Sequence, residues 1–83
     1  MPSIKILVVD DSLLTQEILT VIFDSEEEIE VVGVANNGFE ALELLETEKP
    51  DFITMDNSMP EMDGIEAIEK IMASNPTPIL VIS

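Results

Sequence analysis

IKILVVDDS, residues 4–12, is the stretch that decides how this chain folds. A short run rich in β-branched residues, Ile4 to Val9, ends abruptly on two aspartates and a serine. An unbroken apolar run of this length suits a strand buried on both faces, as in a parallel sheet. Ser12 can cap a following helix through its hydroxyl. From Ser12 to Asp24, Leu14, Ile18 and Ile22 recur every four residues, with Leu19 and Val21 broadening the stripe. That spacing predicts an amphipathic helix.

The same alternation continues along the chain. Val31 to Ala35 reads as a second strand, interrupted by Gly33, and Asn36-Asn37-Gly38 is a turn signal. Gly38 to Glu48 is helical in pattern, with Phe39, Leu42 and Leu45 on one face and Pro50 as the stop. Asp51 to Met55 is a third strand closing on Asp56, and Asn57 to Gly64 is a polar loop. Gly64 to Ser74 is a third helix, its apolar face Ile65, Ile68 and Met72 expected to lie in the core. Asn75 to Pro78 breaks it, and Ile79 to Ile82 is a fourth strand before Ser83. The order βαβαβαβ predicts an α/β fold with a parallel sheet and right-handed crossovers.

Composition narrows the function. The chain has 83 residues, one small domain, and nearly half are hydrophobic, so it is no disordered segment. It has no cysteine and no histidine, which excludes disulfides, thiolate metal sites, His-based acid–base catalysis and the usual zinc ligands. Eighteen Asp and Glu face three lysines, Lys5, Lys49 and Lys70, for a net charge of −15. Such a surface repels nucleic acid and anionic membranes, so basic partners or metal cations are expected. The run Glu26 to Glu28 with Glu30 reads more plainly as a solvated turn than as a site. No stretch has the length of a signal peptide or membrane span, so a soluble cytoplasmic protein is expected.

Ligands of open parallel sheets sit beyond the carboxyl ends of the strands. Asp10 and Asp11 follow the first strand there, and Asp56 ends the third. Acids at strand ends are commonly just exposed loop residues. Three of them at one end of one sheet are a different matter. Carboxylates within about 5 Å repel by a few kcal/mol per pair at an effective dielectric near 20. A divalent cation compensates them, and a few hard oxygens open to water suit Mg²⁺. A strand-end carboxylate such as Asp56 can attack phosphorus while Asp10 and Asp11 hold the metal.

VVDDS (8–12), ANNGFEAL (35–42), MDNSMPEMDGIEAI (55–68) and PTPILVIS (76–83) together resemble the receiver domain of two-component response regulators. Within that family, IEVVGVANNG (29–38) and NPTPILVIS (75–83) look most similar to the receiver domain of chemotaxis methylesterases. The resemblance covers the whole chain, 1–83, as one receiver domain truncated after the fourth strand. It implies a truncated flavodoxin-like sheet of strand order 2-1-3-4. It implies Asp56 as phosphoacceptor, Asp11 as a direct Mg²⁺ ligand, Asp10 acting through water and the Ser58 carbonyl as a further ligand. Ser83 would be the switch hydroxyl, and Pro60 and Gly64 would shape the loop. A histidine kinase or a small phosphodonor would supply the phosphoryl group, with output through protein interaction. Asn57 departs from the family pattern, where an apolar residue is usual.

A complete receiver carries a fifth strand with an essential lysine, and no lysine of this chain matches that position. Ending on the fourth strand is expected to leave 79–82 as an edge and strands three and four uncovered on one face. A homodimer through that edge or face follows as an expectation. The alternative function is a degenerate or truncated receiver acting as an oligomerisation or interaction module, without productive phosphorylation. An aspartyl phosphatase would need a second acid two residues after Asp56, where Ser58 stands, so the chain is not expected to be an enzyme.

Overall fold

A computed structural model describes residues 3–56, 66, 69–70, 72–73 and 76–82. The elements run β1 (Ile4–Val9), α1 (Leu13–Asp24), β2 (Ile29–Ala35), α2 (Gly38–Glu48), β3 (Phe52–Asp56) and β4 (Ile79–Ile82). The strands form one parallel sheet of order β2-β1-β3-β4, as the resemblance implies. Glu66, Glu69, Lys70, Met72 and Ala73 are helical, in the segment expected to form the third helix. Ile65 and Ile68 lie outside the described residues, and Met72 is exposed rather than in the core.

β1 sits centrally, and Ile6 to Val9 are buried on both faces, which explains their unbroken apolar run. One face carries the core: Leu7, Val9, Ala35, Ile53 and Met55 from the sheet, with Ala41 and Leu45 of α2. β2 starts at Ile29, two residues earlier than expected, and its register against β1 shifts between Ile6 and Leu7, leaving Val32 extra. Gly33 is where the strand must stay slim. A Cβ there would lie 3.3 Å from a methyl of Leu44 and a methyl of Leu7.

Both helix starts are capped as their sequences suggest. The Ser12 hydroxyl accepts from the Thr15 amide at 3.3 Å, and Asn37 Oδ1 accepts from the Glu40 amide at 2.9 Å. Lys49 ends α2 in the left-handed region at φ 47°, just before the buried Pro50.

Two faces differ from expectation. The α1 stripe does not face the sheet: Leu14, Ile18, Val21 and Ile22 are exposed, Leu19 and Phe23 are half-buried, and Gln16 is buried. On α2, Leu45 is buried and Leu42 partly so, but Phe39 is exposed, because the helix meets the core along Gly38, Ala41 and Leu45. Apolar exposure on the sheet falls on β4 as expected but not on β3, and it also occurs at Ile4 of β1 and Val34 of β2. Leu80 and Val81 of β4 are exposed, whereas Ile53 to Met55 of β3 are buried.

Candidate metal and phosphoryl site

The register of β1 and β3 builds the site. Val9 lies opposite Met55, so the next residues, Asp10 and Asp56, leave the same end of two neighbouring strands. One carboxylate oxygen each from Asp10, Asp11 and Asp56 lies within 4.8 Å of the others. The sequence thus located all three acids that converge. Asp56 is the last residue of β3 rather than the one after it, which puts its backbone in the ladder opposite Ile82. Ser58, Ser83 and Asn57, the other positions singled out by sequence, lie outside the described residues, as do Pro60 and Gly64.

Burial grades the trio. Asp10 is buried, Asp56 half-buried and Asp11 exposed. Asp10 is held at three atoms. Its amide donates to the Ala35 carbonyl at 3.0 Å, its Oδ1 accepts from the Ser12 amide at 2.7 Å, and its carbonyl accepts from Gln16 Nε2 at 2.5 Å. Burial pushes the Asp10 carboxyl above its ordinary value, the Ser12 amide partly opposes this, and the charges of Asp56 and Asp11 add to the rise. A raised folded pKa means that the fold favours the protonated acid. The contribution of Asp10 is therefore most favourable below the ordinary aspartate range and is lost as pH rises through the folded value. Asp10→Asn, which resembles the protonated acid, is expected to stabilise the metal-free chain near neutral pH. That gain should shrink steadily on acidification in thermal melts of the two proteins.

At such separations each pair of charges repels by about 3 kcal/mol for an effective dielectric near 20. The donor set fits a hard divalent ion. Carboxylate oxygens this close, open to solvent at Asp11, suit Mg²⁺, which keeps several waters beside one or two carboxylates. Sequence reasoning missed two groups nearby. Gln16, which the apolar spacing of α1 does not single out, reaches the Asp10 carbonyl. Thr54, on the same face of β3 as Asp56, has a fully buried Oγ1 with no hydrogen-bond partner among the described residues. Thr54→Val removes a desolvated hydroxyl at constant shape. It is expected to leave stability equal or raise it by about 1 kcal/mol, read by urea denaturation.

The profile of the response regulator receiver domain matches residues 6–83. A protein-glutamate methylesterase/protein-glutamine glutaminase of Carboxydothermus hydrogenoformans is 53% identical over 83 residues, which are 100% of this chain and 23% of that protein. The response regulator domain of Thermotoga maritima CheB superposes with a TM-score of 0.92 at 46% identity, covering 95% of this chain and 59% of that one. Borrelia burgdorferi CheY, in the CheX-CheY-BeF3-Mg²⁺ complex, does so at 0.90 and 34% identity, covering 99% and 63%. The chain thus spans about a quarter of the curated relative and under two thirds of the solved chains. Among the described residues, no helix is long and apolar enough to cross a membrane.

Proposed function

Since this chain belongs to the response regulator receiver domain family of two-component signalling, we propose that it accepts a phosphoryl group on Asp56 in a Mg²⁺-dependent reaction. The observation that carries this reading is the convergence of the Asp10, Asp11 and Asp56 carboxylates within 4.8 Å at the carboxyl end of the sheet. Residues 1–83 belong to one receiver domain.

Mg²⁺, when bound, supplies neutralisation of the incoming phosphoryl dianion. Asp11 and Asp56 would hold it directly, Asp10 through water, and the Ser58 carbonyl would complete the protein's share. The chain's own chemistry is nucleophilic. An Asp56 carboxylate oxygen forms a bond to phosphorus as the bond to the donor's leaving group breaks, and the electron pair departs with the leaving group. Its place at the end of a hydrogen-bonded strand restricts the nucleophile, which lowers the entropic part of the barrier. Ser83 is the hydroxyl that turns toward the new phosphoryl group. A histidine kinase supplies that group in the cell, and the output is a protein interaction. The net charge of −15 argues against nucleic acid as the receiving surface.

The Mg²⁺-bound Borrelia CheY complex supports the same chemistry here, because the two chains share their fold. The test is intact-mass measurement after incubation with acetyl phosphate. A gain of one phosphoryl mass that needs Mg²⁺ and vanishes with chelator supports the reading. A gain indifferent to Mg²⁺, or none at all, overturns it.

A further inference from the structure

α1 is inverted with respect to its composition. Its apolar stripe is exposed, and its buried residue is an amide, Gln16, at 6% exposure. Burying an amide costs free energy unless its polar atoms find partners. Gln16 Nε2 has two acceptors. It donates to the Asp10 carbonyl at 2.5 Å and to Asn36 Oδ1 at 2.7 Å. Asn36 is fixed in turn, because its backbone amide and its Nδ2 both donate to Glu40 Oε1, at 2.9 and 3.0 Å. Glu40 is itself held in the first turn of α2, its amide donating to the capping Asn37 Oδ1.

The direction of this chain is set at one end. An ionised Glu40 can only accept, so Asn36 must turn its NH₂ toward it. Asn36 Oδ1 therefore faces Gln16, and Gln16 must present donors on both sides. The Asp10 carbonyl is the far end of that chain. Its peptide group joins Asp10 to Asp11, so a constraint on this carbonyl orients both carboxylate-bearing residues at once.

We infer that Gln16 is a positioning residue for the acidic pair: its amide clamps the Asp10–Asp11 peptide to the β2–α2 corner so that both carboxylates meet Asp56 at one point. This rests on the Mg²⁺ site proposed above. Groups that orient metal ligands from behind typically change metal affinity about 10- to 100-fold when removed. Gln16 touches neither metal nor phosphoryl group, so its effect passes through the Asp10–Asp11 backbone.

The experiment pairs a Mg²⁺ titration with amide hydrogen exchange on the metal-free protein, for wild type, Gln16→Met and Gln16→Asn. Methionine removes both donors at similar volume. Asparagine keeps the amide on a stem too short to span both acceptors, and it serves if the methionine variant fails to fold. A Mg²⁺ dissociation constant raised at least about 10-fold, with faster exchange at residues 10–12 and unchanged exchange across α2, is the expected result. An unchanged dissociation constant overturns the inference. So does weaker binding without altered exchange at 10–12, since the effect would then not run through that backbone. If wild type itself shows no saturable Mg²⁺ response, the site reading fails and the inference falls with it. Wild-type binding with unaffected variants removes Gln16 alone.

Discussion

Asp56→Asn is expected to abolish phosphoryl transfer to this chain, so that the mass gained by wild type from acetyl phosphate and Mg²⁺ disappears. The substitution preserves shape and β3, since an asparagine carboxamide is nearly isosteric with the carboxylate. It removes the nucleophile, because an amide oxygen has no charge to share with phosphorus. It also takes one negative charge from a cluster of three like charges. The variant should therefore fold at least as well as wild type, and lost modification cannot be ascribed to unfolding. A variant that folds and still gains the phosphoryl mass would move the nucleophile to another acid, with Asp11, the exposed member of the trio, as the first to examine.

Leu7→Ala is expected to be the most damaging change to the fold. Leu7 is fully buried on the central strand, within the cluster that joins the sheet to α2. Truncating such a side chain costs about 2–5 kcal/mol, because the cavity it leaves collapses only in part. At about 0.05–0.15 kcal/mol per residue, a chain of this size has only some 4–12 kcal/mol of stability in total. Urea denaturation should show a midpoint far below that of wild type, or a largely unfolded variant. Leu14→Ala is the control. Leu14 is exposed despite its place in the apolar stripe, so the change should stay within about 0.5 kcal/mol. Equal losses at both positions would contradict the orientation of α1.

These two expectations mark what the residues disclose by themselves. An apolar run that stops at Asp10 reports both a doubly buried strand and its carboxyl end, so the parallel sheet and the convergence of Asp10, Asp11 and Asp56 were legible. Helical spacing discloses less. The repeat Leu14, Ile18, Ile22 shows that α1 has an apolar stripe, but not which neighbour covers it. In the structure α1 meets the sheet along a line through Gln16, Leu19 and Phe23. Gln16 could have been suspected, since it stands one turn after the capping Ser12 and in line with Leu19 and Phe23. Polarity alone argued for solvent, and only the carbonyl of Asp10 and the amide of Asn36 explain why it is buried. The shift in β2 had a trace in Gly33, but the extra residue, Val32, is a product of packing against β1 and has no signature of its own.

The claim on which the rest depends is that three acids from two strand ends make one Mg²⁺ site. It is tested most directly by titrating Mg²⁺ into the isotope-labelled, metal-free chain at a fixed ionic strength near 0.15 M, where loose attraction to the acidic surface is screened. A single saturable transition is predicted, with amide shifts concentrated around Asp10, Asp11 and Asp56 and clearly weakened in Asp11→Asn and Asp56→Asn. Shifts that fail to saturate, spread over Glu26 to Glu30 and persist in both variants would contradict it.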